Sequence, residues 1–166
     1  MKRFWILLVL VSLLLCGCSA QETFETVLDA LDAGEIEPAK QVVLELPKDA
    51  AVTTMESTDG GVLYLCDGYV LSVQTLSGGD LSRTLKQITG YSKEQLKMMQ
   101  TRAGQTQKYS CVWTAAGEGG DQVGRAVILD DGSYHYCVSV MADSQVSGEL
   151  TPAWQKLLAS VSLDTD

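Results

Sequence analysis

The chain has 166 residues, 21 acidic against 12 basic, and a formal net charge of −9. That charge excludes nucleic acid as a natural ligand and argues against the protein body lying on an anionic bilayer. The length suits one domain with a substantial core and is short for two.

Lys2 and Arg3 precede an apolar run from Phe4 to Leu15 that only Ser12 interrupts, and small residues follow. This is the order of a secretory signal, and the run falls well short of the roughly 20 residues a spanning helix needs. Leu15, Cys16, Gly17 and Cys18 resemble the lipobox of bacterial lipoproteins, although Cys16 stands where Ala, Ser or Thr is usual. The resemblance implies cleavage before Cys18 and a diacylglyceryl group on its sulfur. The chain then divides into a signal peptide at 1–17, an acidic tether at 18–38 and one globular domain at 39–166. It would be held at the extracytoplasmic face of the membrane by its acyl chains. An ordinary secretory signal is the alternative; a metal-binding cysteine pair lacks further ligands nearby. Removing Lys2 and Arg3 with the leader leaves 10 basic against 21 acidic residues, a net charge of about −11.

From Gln21 to Glu37 the sequence is acidic, with Phe24, Val27, Leu28 and Leu31 at helical spacing. A spacer is the simpler reading and a short helix the other. The segment 40–46, closed by Pro47, reads as a first strand. Residues 62–76 hold two apolar runs about Asp67 and Gly68, a hairpin signal. Leu81, Leu85 and Ile88 then share a helical face behind Asp80 as cap, with Gly90 as stop. Ser92 and Gln95 have capping-box spacing and predict a second short helix carrying Leu96 and Met99.

Segments 107–114, 123–129 and 134–141 read as three strands of an antiparallel meander, joined by a Gly-rich loop at 115–122 and a tight turn at 130–133. Thr151 as cap, Pro152 at the first helical position and an apolar face of Trp154, Leu157, Leu158 and Val161 predict a closing helix. The fold class is α+β, a mostly antiparallel sheet with helices packed on it. The hairpin running into a helix, the aromatic-rich meander and the last helix ending in "LASVSL" resemble the PsbP-like or Mog1-like α/β/α sandwich. That fold serves as assembly factor, docking module and lipoprotein body, so the resemblance implies architecture more than activity.

Four constellations merit testing. His135 and Cys137 share a strand face, and a thiol–imidazole pair would make a thiol-dependent enzyme. Packing is the simpler account, because no third orienting residue or oxyanion site accompanies them. Tyr109 and Trp113, with Tyr134 and Tyr136, could line an aromatic pocket for a small molecule or peptide. Glu118 and Asp121 lie in one loop and Asp130 and Asp131 in another, but one strand separates the loops, so convergence on a metal is not expected. Gly78 and Gly79 lack the rest of a phosphate-binding motif, and Asp80 would repel the anion. Three cysteines remain in the mature body, Cys66, Cys111 and Cys137; one disulfide with a free thiol and three buried thiols both fit. The expectation is a non-catalytic, lipid-anchored binding or assembly domain without metal or cofactor. Its partner would be a protein or small molecule.

Overall fold

The computed structural model describes residues 38–53 and 61–164, and the structural statements below concern these. The expected signal peptide, Cys18 and the expected tether up to Glu37 lie outside the described residues.

Short strands open the chain: β1 (Val42–Val43) and β2 (Ala51–Val52). Next come β3 (Val62–Cys66) and β4 (Tyr69–Ser77), joined at Asp67 and Gly68 as the hairpin signal requires; Gly68 has φ 77°. Helix α1 (Leu81–Thr89) begins at Asp80, whose carboxylate accepts from the Ser82 amide at 2.9 Å, and ends at Gly90, left-handed at φ 79°. Four long strands follow, β5 (Lys97–Ala103), β6 (Thr106–Gly117), β7 (Gly120–Asp130) and β8 (Tyr134–Asp143). Helix α2 (Ser144–Ser160) and β9 (Ser162–Leu163) close the described chain.

The main sheet has the order β2-β3-β4-β8-β7-β6-β5, antiparallel at every pairing, while β1 and β9 form a separate two-stranded pair. After β4 the chain passes through α1 to the far edge at β5, and the meander then steps back until β8 pairs with β4. Alternation along the strands builds two cores. Val127, Leu129, Tyr136, Val138 and Val140 pack with Trp154 and Leu157 of α2. Ala126, Ile128, Cys111, Trp113 and Cys137 pack with Leu85 of α1. Consecutive residues of β7 belong to different cores, so the helices cover opposite faces and the chain is an α/β/α sandwich.

Several sequence expectations need correction. The first strand shrinks to Val42 and Val43, because its partner β9 offers only two residues. The capping box forms, but it nucleates a single 3₁₀ turn (Lys93–Gln95); Leu96 is already extended, and Met99 belongs to β5. Seven residues of β5 find a continuous ladder against β6, which outweighs a short exposed helix. The meander thus has four strands. The Gly-rich loop is a tight turn at Glu118 and Gly119, with flanking residues drawn into β6 and β7. Helix α2 starts at Ser144, where Asp143 accepts from the Gln145 amide at 2.8 Å; Thr151 and Pro152 are interior. Gly148, which would accept from residue 152, has open space where a Cβ would be, so the proline ring is accommodated on the exposed side.

Candidate functional site

His135 and Cys137 do share the α1 face of β8, and both are sealed beneath that helix. The imidazole Nδ1 is 2.7 Å from the Thr84 hydroxyl of α1, and Nε2 stands 3.8 Å from a carboxylate oxygen of Asp130 with no hydrogen-bond partner among the described residues. The Cys137 thiol donates to the His135 backbone carbonyl at 3.8 Å and has no hydrogen bond to the ring. Burial pushes the thiol up to about 12, and the neighbouring Cys111 adds to the rise; burial also lifts Cys111 to about 11. A nucleophilic cysteine requires the opposite shift and an open approach. This arrangement can pin α1 to the sheet; it does not draw a thiol towards thiolate. Cys66, Cys111 and Cys137 are all free thiols, but only Cys111 and Cys137 are buried and Cys66 is half-buried, so the expectation of three buried thiols is met in two of them.

The sheet divides the four candidate aromatics. Tyr109 and Trp113 face α1, whereas Tyr134 and Tyr136 face α2. No single pocket joins them. The Trp113 ring lies over Gly124 so closely that a Cβ there would come within 2.3 Å of it. Tyr136 is fully buried; its hydroxyl accepts from the Lys40 amide at 2.9 Å and donates to Asp131 at 3.0 Å. Burial would raise the Asp131 carboxyl, but hydrogen bonds from Tyr134, Tyr136, Ser133 and Lys40 outweigh it and hold the group below its ordinary value. That network fixes the β7–β8 turn.

Strand β7 keeps the two acidic pairs apart, with Glu118 and Asp121 at one end and Asp130 and Asp131 at the other. Asp130 and Asp131 instead receive the amides of Gly132 and Ser133, as turn aspartates do. Gly78 is explained by packing, since a Cβ there would sit 2.7 Å from the Ser133 carbonyl group.

An open groove of about 580 Å³ lies between α2 and the α2 face of β5, β6 and β7. Register places its side chains in rows: Lys97, Val112 and Arg125 form one, Met99, Ser110 and Val127 the next, and Thr101, Lys108 and Leu129 the third. Lys97 and Arg125 are therefore about 10 Å apart across the sheet, and Lys108 lies about 13 Å further along β6. Met99 and Val112 are 64% and 50% exposed, and Leu158 and Ala159 of α2 supply the facing wall.

Two of the cations also brace the helix. The Lys108 ammonium donates to the Leu158 carbonyl at 3.2 Å, in the last turn of α2, where the helix end is negative. Desolvation holds this lysine below its ordinary value. Arg125 donates to the Thr151 hydroxyl at 3.1 Å and lies 5.9 Å from the centre of the Trp154 ring. None of the three cations has an ion pair among the described residues, whereas Lys40 pairs with Asp131 and Lys156 with Glu45. Among the described residues, no Asp or Glu lines the groove. Sequence reading missed this site, because its cations sit on three strands and only the register assembles them.

No family model matches the chain, and no curated protein does. Solved structures share its architecture. Cyanobacterial PsbP (CyanoP) from Synechocystis aligns with a TM-score of 0.55 at 11% identity, covering 79% of this chain and 96% of that one. A protein from Bacteroides thetaiotaomicron gives 0.51 at 13% identity over 75% of this chain, which spans only 46% of that protein. The Ran-binding protein Mog1p from Saccharomyces cerevisiae gives 0.48 at 12% identity, over 75% and 95% of the two chains. The likeness is one of fold, and it agrees with the PsbP-like sandwich expected from element order.

Proposed function

We propose that this chain is a lipid-anchored, non-catalytic binding module of the extracytoplasmic membrane face, and that it holds an anionic, partly apolar ligand in the groove between α2 and β5–β7. One observation carries the reading. A chain of net charge −9 gathers Lys97, Lys108 and Arg125 around Met99 and Val112 and, among the described residues, places no carboxylate with them. Charges of one sign in a groove with low-dielectric walls concentrate ligands of the opposite sign. The anchor rests on the leader sequence and on Cys18 alone. No helix among the described residues is long and apolar enough to cross a membrane.

The sealed thiols and the divided aromatics support this reading over an enzyme or an aromatic pocket. Cys18→Ser is expected to move the protein from the membrane to the soluble fraction, and undiminished retention would refute the anchor. The groove is tested by calorimetric titration of the detergent-extracted full chain with decanedioate, whose carboxylates are held apart by an apolar chain. The expected result is saturable binding that Lys97→Glu abolishes and added salt weakens. Binding unchanged by the substitution, or none to the wild type, would contradict the groove.

A further inference from the structure

Strand β5 forms one edge of the main sheet, and its outer side has no strand beyond it among the described residues. It is seven residues long, contains no proline and pairs with β6 in unbroken register from Lys97↔Val112 to Ala103↔Thr106. The opposite edge, β2, offers two residues. An unpaired, unbulged edge presents backbone donors and acceptors to any incoming strand. Every residue of β5 except Met98 is exposed.

The edge also selects what can pair with it. It bears Lys97 and Arg102 and no carboxylate, and Arg102 is held in place by a bond from its Nε to the Gly104 carbonyl at 3.0 Å. A second copy aligned along β5 would bring these cations together uncompensated, so self-pairing is disfavoured. An acidic strand meets the reverse situation. Side chains of an added strand alternate between faces, so every second one falls beside Lys97, Met99 and Thr101 and the rest beside Met98, Gln100 and Arg102. The α2 face asks for an apolar residue against Met99 and a carboxylate near Lys97; the other face asks for a carboxylate at Arg102. The groove's lining reaches the sheet edge at Lys97 and Met99, so a strand beyond β5 would extend its floor.

We infer that the occupant is an extended acidic peptide segment of a partner protein, which adds to β5 as a further strand and turns an apolar side chain over Met99 and a carboxylate towards Lys97. This rests on the groove being the binding site, and it specifies the partner and the mode.

The test uses the detergent-extracted full chain and a short fluorescent peptide, Glu-Thr-Thr-Leu-Thr-Glu, which in antiparallel register sets leucine beside Met99 and its two glutamates beside Lys97 and Arg102. Expected are saturable anisotropy, new hydrogen-exchange protection of the Lys97–Ala103 amides, and loss of binding when lysine replaces glutamate in the peptide. Lys97→Glu and Met99→Glu, both at exposed positions, should each weaken binding by about tenfold. N-methylation of alternate peptide amides should weaken it by about tenfold or more, because the ladder bonds are lost. If the N-methylated peptide binds equally, or if β5 gains no protection, strand addition is wrong; decanedioate binding then shows whether the groove reading survives. Protection of β5 that rises with protein concentration without peptide would assign the edge to a second copy and overturn the inference. If neither peptide nor decanedioate binds, both readings fall.

Discussion

The α1 side of the sheet and the groove beside α2 differ in what they do with chemically capable side chains. Beneath α1, an imidazole, two thiols and a threonine hydroxyl are packed out of reach, and burial has made the thiols poorer acids. In the groove, Lys97 is exposed and Lys108 and Arg125 are half-buried, because α2 covers only part of the strands under it. Reactive residue types mark a site only where the fold leaves them open; here they serve as core, and the proposed binding surface is made of residues common on any protein exterior.

Truncation separates the regions most strongly. Trp154 is completely buried between α2 and the sheet, so Trp154→Ala should cost about 3–5 kcal/mol of unfolding free energy. Met99→Ala, at the rim of the groove, should change stability by less than about 0.5 kcal/mol. Denaturant titration of both variants checks the contrast. Gly124→Ala should cost about 1–3 kcal/mol, because the new methyl must displace the Trp113 ring. Thr84→Val leaves His135 Nδ1 without its hydroxyl partner and should cost about 1–3 kcal/mol. A smaller loss would mean that the pair does not pin α1.

The pH profile sharpens the same contrast. The buried thiols titrate higher in the fold than their ordinary 9.0, so their contribution to stability is complete below pH 9 and lost as pH rises towards 12. Asp131 titrates below its ordinary 3.8, so its contribution is present above that pH and lost as pH falls through the folded value. Denaturant midpoints across pH should fall at both extremes, and Cys137→Ala should flatten the alkaline limb. The smallest effect is kinetic: in the native protein, half-buried Cys66 should alkylate before Cys111 and Cys137, which peptide mapping after brief iodoacetamide treatment would reveal.

Much of the architecture was legible because burial leaves a pattern. Strands β7 and β8 are covered on both faces and read as near-continuous apolar runs, and the β3–β4 hairpin announces itself at Asp67 and Gly68. Helix α1 was readable down to its caps. Strand β5 was not, since an exposed edge gives no alternation and Leu96 with Met99 mimicked a helical face. The start of α2 was hidden because Ser144–Gly148 is mostly polar or small and the Thr-Pro pair imitates a cap. The groove was the least readable part. Lys97, Lys108 and Arg125 are unremarkable one by one, and their proximity depends on a register that only the folded sheet defines.

The central claim is that binding belongs to the open groove and not to the sealed thiol and imidazole. The most direct measurement compares the affinity of the peptide Glu-Thr-Thr-Leu-Thr-Glu for the wild-type full chain, Lys97→Glu and Cys137→Ala. The account predicts about tenfold weaker binding for Lys97→Glu and unchanged affinity for Cys137→Ala. Affinity lost with Cys137→Ala in a chain that remains folded, and retained in Lys97→Glu, would contradict it.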